Sequence, residues 1–225
     1  MKATPVMPGR STRKRSPTRP TPAWWLVTLL AVPVAGYAMA YGVVGAPMYP
    51  SNLAESFLAR PWGIYPHVLF GSVALGLGAL QFNRWILLRY RTLHRALGTI
   101  YVASSIIVGL AGLYMSVYSF GGVVTHLGFG MLAVLLLATT ARAYIAARAR
   151  TIALHRQWML RSYALLFGAV TLRIELPLLI MAFGEFTPAY QVVSWLSWVP
   201  NILWAEWYIR RTVRVTLPAA TPRVA

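Results

Sequence analysis

Residues 96–118 read ALGTIYVASSIIVGLAGLYMSVY and contain no charged side chain. An apolar run of about 20 residues is long enough to cross the hydrocarbon core of a bilayer as a helix. Ser119, Gly121 and Gly122 interrupt the run, and a second apolar stretch follows at 123–141. The two runs predict a pair of antiparallel membrane spans joined by a tight turn.

Further apolar runs of similar length extend this pattern along the chain. They lie at 23–44, 64–83, 159–183 and 190–209. The predicted fold is therefore an all-α, polytopic membrane protein with six transmembrane helices, in which helices two to five form a central up-down four-helix bundle. The transmembrane domain covers 23–210, between a disordered basic cytoplasmic tail at 1–22 and a short cytoplasmic tail at 211–225.

Composition supports a membrane protein and excludes several kinds of chemistry. Of the 225 residues, 58% are apolar and 11% are charged, whereas soluble domains are about 45–50% apolar and about 25% charged. The chain contains no Cys and no Asp. The absence of Cys excludes disulfides, thiolate-bound iron–sulfur clusters, zinc ribbons, thiol nucleophiles and covalent haem attachment through C-x-x-C-H.

The basic residues predict the orientation in the membrane. The formal net charge is +17, and all but two of the 21 Lys and Arg residues lie in the tails and in the second and fourth connectors or at their edges. The exceptions are Arg60 and Arg173. The positive-inside rule then places both termini in the cytoplasm. We interpret the arginines as topology signals and lipid contacts, which excludes nucleic acid as a partner. Because the run at 23–44 is longer than the core of a secretory peptide, we interpret it as an uncleaved first span.

The four histidines of the chain are His67, His94, His126 and His155, and each lies at or just before the start of one of spans two to five. Since successive spans run in opposite directions, His67 and His126 are expected near the outer face, and His94 and His155 near the inner face. Helices of like direction occupy diagonal corners of an up-down bundle. Each diagonal then carries two imidazoles at matching depth, an arrangement that suits two non-covalent b haems, each with six-coordinate iron.

Small residues on the histidine faces are consistent with a bulky cofactor. Three of the four histidines are followed four residues later, on the same helical face, by a glycine: Gly71, Gly98 and Gly130. A missing side chain beside a ligand leaves room for a macrocycle. The alternative is that these glycines let helices pack closely without any cofactor. A single histidine at a membrane edge is also more often an interfacial polar residue than a ligand.

Three arginines are candidate partners for haem propionates. Arg173 follows His155 by 18 residues, which is five helical turns, so the two share a face and Arg173 reaches the depth of the outer pair. An arginine inside a bilayer usually has an anionic partner. The alternative partner is Glu175, although residues two apart on a helix do not face each other. Arg95 and Arg156 directly follow the inner histidines, where topology alone would also place them.

Three motifs are similar to a bacterial family of predicted multispan membrane proteins, domain of unknown function 2306. They are H-x3-G with L-G-x-x-Q-F from His67 to Phe82, H-R-x-L-G-x-x-Y from His94 to Tyr101, and H-R-x-W-M-x-R-S-Y from His155 to Tyr163. More broadly, six spans with one histidine on each of four central helices resemble the cytochrome b561 family. That resemblance implies two b haems held by His67 with His126 and by His94 with His155. Its reductant-binding residues have no match here, so donor and acceptor do not carry over.

The leading hypothesis is a diheme cytochrome of the bacterial inner membrane that passes single electrons between a cytoplasmic or quinol donor and an outer acceptor, which would make it a transmembrane oxidoreductase. A second hypothesis is a permease that uses histidines as proton relays. It predicts broken spans, for which Pro177 and Pro200 are candidates. A third is a non-catalytic membrane scaffold. A divalent metal at one histidine pair is a further alternative, although it would lack carboxylate ligands.

Overall fold

The structure, a computed structural model, describes residues 20–216. Within that range the chain forms ten α-helices and a 3-10 turn at Ala46–Met48. The helices are α1 (Pro22–Val44), α2 (Ser51–Leu58), α3 (Pro61–Gln81), α4 (Arg84–Arg89), α5 (Arg91–Ser116), α6 (Val123–Arg148), α7 (Ile152–Leu166), α8 (Gly168–Phe183), α9 (Phe186–Leu196) and α10 (Val199–Thr216). The predicted tails fall mainly outside the described residues, although α10 continues to Thr216.

The all-α, polytopic fold class is confirmed. Five helical stretches of the described chain are long and apolar enough to cross a membrane: α1, α3, α5, α6 and the combined α7–α8. The expected sixth span, 190–209, differs because it is divided between α9 and α10. Pro200 explains the division, since it has no N–H and its ring crowds the carbonyl four residues earlier, at Leu196, where α9 ends.

The central spans form a four-helix bundle at the end of the molecule that carries the α3–α5 and α6–α7 connectors, which we call the basic end. There α3 packs on α5, α5 on α6, α6 on α7, and α7 on α3. The remaining pairs, α3 with α6 and α5 with α7, are diagonal. The tight turn between α5 and α6 depends on Gly121 and Gly122, with φ of 97° and 77°, values that side chains other than glycine rarely adopt.

At the opposite end, the bundle opens into a ring of six helices. The fifth span breaks at Phe167, after which α8 leaves the four-helix bundle and packs against α1 and α9. Contacts of α6 with α9, and of α1 with α3, close the ring in the order α1, α3, α5, α6, α9, α8. The four-helix arrangement therefore holds for the basic half of the protein and gives way to a wider arrangement in the other half.

The two helix breaks contact each other. Gly168 lies against the α9–α10 break, where an added Cβ would come within 3.3 Å of Trp198 Cβ. The Thr171 hydroxyl donates to the Ser197 carbonyl, and Asn201 Nδ2 donates to the same carbonyl at 3.0 Å. These bonds satisfy a carbonyl that the α9–α10 break leaves without a helical partner, so α8 stabilises that break.

An ion pair joins α7 to α10. The guanidinium of Arg161 donates two hydrogen bonds to the carboxylate of Glu206, one of them from Nη2 to Oε2 at 3.0 Å. Arg161 also stacks over the Trp158 ring, with its Cζ 4.4 Å from the ring centroid. Both charged side chains are largely removed from solvent, so each depends on the other for compensation of its charge.

Replacing Glu206 with Gln is expected to destabilise the fold by about 1.5–3 kcal/mol, the usual contribution of a hydrogen bond to a charged group. Thermal unfolding in detergent measures the effect. Glu185→Gln is the matched control, because Glu185 is exposed and its side chain has no hydrogen bond. An equal drop in the midpoint for both variants would contradict a specific role for the ion pair.

Candidate cofactor site between the central helices

The two inner histidines lie near each other at the basic end. His94 is on α5 and His155 on α7, and they are close enough to interact electrostatically. Because α5 and α7 are diagonal in the bundle, the two histidines come from opposite corners of it. Both residues are half-buried.

The ring of His155 is held by the backbone of the adjoining helix. Its Nδ1 lies 2.9 Å from the carbonyl oxygen of Ala143 on α6. A carbonyl can only accept, so Nδ1 carries the proton and Nε2 is left with its lone pair. A ligating histidine almost always donates its other ring N–H in this way, which fixes the tautomer and the orientation of the ring.

The ring of His94 has no such partner. Its Nδ1 is buried and forms no hydrogen bond within the described residues. A second buried orphan, the Nε2 of Gln81, lies in the same region, because the Gln81 side chain fills the space beside Gly98, one turn after His94. Gln81 belongs to the L-G-x-x-Q-F motif, but the motif gave no role for it. What distinguishes Gln81 in the sequence is that it is a polar residue at the end of an apolar helix.

The outer histidine of α3 contacts α5. The Cε1–Nδ1 edge of His67 faces Gly112, where an added Cβ would lie 3.4 Å from both atoms. His67 is nonetheless an exposed residue. It therefore lies at the contact between α3 and α5 with part of its surface uncovered.

The other outer histidine interacts with the α5–α6 turn. The Nε2 of His126 lies 2.9 Å from the carbonyl oxygen of Ser119. No interaction joins His126 to His67 within residues 20–216. The structure therefore brings the inner pair of histidines together, and it does not bring the outer pair together in the same way.

Arg173 lies in the half of the protein opposite the basic end, close enough to His67 for an electrostatic interaction. Its Nη1 donates to the carbonyl of Ala169 at 2.8 Å, and its Cζ lies 5.7 Å from the centroid of the Tyr37 ring. The alternative partner, Glu175, forms no ion pair with it, and its Oε2 is buried without a hydrogen bond. Within the described residues, Arg173 is thus a half-buried cation with no anionic partner.

The remaining candidate arginines lie at the basic end. Arg95 and Arg156 are exposed, and neither guanidinium forms a hydrogen bond or ion pair in the part of the chain that the structure describes. They lie next to the inner histidines in sequence, so they remain candidates for contact with anionic groups at the membrane surface.

The glycines that follow the histidines are helix-packing positions. At each of them an added Cβ would lie 3.3 Å from a side-chain atom of a neighbouring helix. The contacts are Gly71 with Val108, Gly98 with Gln81, and Gly130 with Ser116. Close packing between helices, the alternative considered for these residues, accounts for all three contacts.

A buried chain of hydroxyl groups separates the two histidine levels. The Tyr101 hydroxyl lies 2.8 Å from Ser162 Oγ, which lies 2.7 Å from Thr140 Oγ1. All three residues are fully buried. These hydrogen bonds join α5, α6 and α7, and they divide the interior of the protein into a basic-end half and an opposite half.

The described residues contain no cluster of metal-ligating side chains. No group of three or more His, Cys, Asp or Glu side chains is placed to hold a metal ion within residues 20–216. The inner pair, His94 and His155, contributes two imidazoles.

Comparison with known proteins places the chain in a family. Residues 64–209 match the family described as "Predicted membrane protein (DUF2306)", and this region covers well over half of the chain and includes all four histidines. No curated protein and no solved structure matches the chain. With its helical fold and its apolar spans, the chain belongs to the DUF2306 family of predicted membrane proteins.

Proposed function

We propose that this protein is a diheme b-type membrane cytochrome that moves single electrons across the bilayer. One observation carries the proposal: His94 and His155 come from diagonal helices and lie close together, and His155 is held by a carbonyl that leaves Nε2 free to ligate. Haem iron bound by two imidazoles changes oxidation state by one electron, with no open position for a further ligand.

Each candidate residue would have a defined role in binding the haems. His94 and His155 would hold the inner haem, while His67 and His126 would hold the outer one after His126 exchanges its bond to Ser119. Arg173 would pair with an outer propionate, and Arg95 and Arg156 with inner propionates. The carbonyl of Ala143 would keep His155 in the ligating tautomer.

Orientation and partners are part of the same proposal. With α9 and α10 together completing a sixth crossing, both termini lie in the cytoplasm, and the basic end faces it. The protein would be in the bacterial inner membrane. The donor would be a cytoplasmic reductant or a quinol, and the acceptor would lie on the outer side. The family and the fold are compatible with this assignment, which extends the resemblance to cytochrome b561.

Haem stoichiometry tests the proposal directly. Purified protein from cells supplied with haem is expected to hold two haems per chain by pyridine haemochrome assay, with a Soret band and split α bands on reduction. Replacing His155 with Ala is expected to leave one haem. The control is Gln157→Ala, because position 157 faces away from His155 on α7, and it is expected to retain both haems. Haem-free wild-type protein would overturn the proposal.

Arg173 tests the outer site. Loss of a nearby positive charge disfavours the reduced, less positive haem, so Arg173→Gln is expected to lower the midpoint potential of one haem. The expected size is about 60 mV for a tenfold change in a one-electron equilibrium. Arg173→Lys should retain most of the potential. Arg60→Gln is the control. Arg60 lies in the connector before α3 and stacks on the ring of Tyr118, so its replacement should leave both midpoint potentials unchanged.

The broken fifth and sixth spans favour a second candidate, a histidine-dependent permease. Discontinuous helices that contact each other are common at the substrate sites of transporters. The breaks lie at Phe167 and at Ser197–Trp198, and not at Pro177, which α8 accommodates. A purely structural junction would also explain them, since their hydrogen bonds are satisfied.

Proteoliposomes separate the two candidates. A cytochrome is expected to show no proton flux by an internal pH-sensitive dye when no electron donor is present. Proton uptake by the haem-free protein would instead favour the permease, provided that the His67→Gln substitution abolishes this uptake and the Gln157→Ala substitution leaves it unchanged.

A further inference from the structure

Two of the four histidines share a structural feature. A ring nitrogen of each lies 2.9 Å from a backbone carbonyl of another helix or of a turn: His126 from Ser119, and His155 from Ala143. A carbonyl in this position sets the ring orientation and the tautomer. His94 differs from them, because its buried Nδ1 has no partner within the described chain.

The side chain of Gln81 lies where such a partner is needed. Gln81 is the last residue of α3, and its Oε1 lies 3.3 Å from the position that a Cβ of Gly98 would occupy. Side chains on a helix lean toward its N-terminus. The space left by Gly98 therefore lies over the preceding turn of α5, which carries His94.

The end of α3 is held in place by its own neighbours. Phe82 packs on Tyr163 of α7, with ring centroids 5.2 Å apart. Asn83 caps α4 by accepting a hydrogen bond from the Trp85 backbone at 2.9 Å. These contacts fix the backbone on either side of the α3–α4 junction, so Gln81 has to turn only its side chain to reach a new partner.

We propose that Gln81 is the positioning residue for His94: its amide oxygen accepts the Nδ1–H of His94 when the inner haem is bound. This inference rests on the proposed function. The bond would give His94 the same tautomer as His155, with both Nε2 lone pairs directed to the iron. It would also satisfy the buried Nδ1 of His94, a polar group that is costly to leave unpaired. Gly98 is then needed because any larger residue would displace the Gln81 amide.

The test uses the His67→Ala background, in which the remaining haem is the inner one. Gln81→Leu is expected to lower haem affinity by about 10- to 100-fold, the usual effect of losing such a partner. It is also expected to raise the midpoint potential, because an imidazole without this hydrogen bond is a weaker donor to ferric iron. Gln81→Glu retains an acceptor and is expected to restore affinity, which tests the proposal even if the Leu variant fails to fold.

The matched control is Gln191→Leu, which removes a glutamine bonded at 2.8 Å to the Gly121 carbonyl near the opposite end of the protein. It is expected to leave affinity and potential unchanged. An unaltered potential in Gln81→Leu protein that still binds haem would overturn this inference alone, as would equal effects of the two Leu substitutions. Absence of haem from wild-type protein would instead overturn the proposed function, and this inference with it.

Discussion

The contact between the two helix breaks is the constraint on which the shape of this protein depends. Because Gly168 has no side chain, α8 can approach the break between α9 and α10, and Thr171 and Asn201 then satisfy the carbonyl of Ser197. Inside a bilayer a free carbonyl has no water to bind, so a break in one span requires a donor from a neighbour. The Thr171 hydroxyl of α8 is such a donor for the break between α9 and α10.

The break in the fifth span gives the two halves of the protein different helix packing and different candidate residues. Before it, α7 packs in a four-helix bundle and brings His155 to His94. After it, α8 turns to α1 and brings Arg173 near His67 and Tyr37. One span thus supplies a ligand candidate at one level and a cation at the other. The buried hydroxyls of Tyr101, Thr140 and Ser162 fill the interior between these levels.

Orientation of the imidazoles follows from the helices beside them. A neutral imidazole has one donor and one acceptor nitrogen, and a carbonyl nearby decides which is which. Ala143 performs this role for His155 and leaves Nε2 available, whereas Ser119 engages the Nε2 of His126. The inner pair is for this reason closer to a ligating arrangement than the outer pair.

Much of the fold follows from local sequence, because the length and apolarity of a span are properties of consecutive residues. The first five spans, the glycine turn at Gly121–Gly122 and the position of each histidine near the start of its helix could all be predicted. The level of Arg173 also follows from helical rise, but the prediction that it shares a continuous helical face with His155 is wrong, because the span breaks at Phe167 between them. Contacts between helices depend on residues that are distant in sequence, so the periodicity of a single segment does not predict them.

The partners of these residues were decided by tertiary structure. Sequence could not show that Gln81 fills the space beside Gly98. It also could not show that Arg173 lies over the ring of Tyr37 and forms no ion pair with Glu175, or that Glu206 pairs with Arg161. Pro200 marked a candidate break in the sixth span, but sequence could not show that the Ser197 carbonyl at this break accepts a hydrogen bond from Thr171 of α8. The chain alone determined which residues lie at which depth, because rise along a helix is fixed by its backbone. Only the packed structure decided which of them meet, because that depends on where the helices bend toward one another.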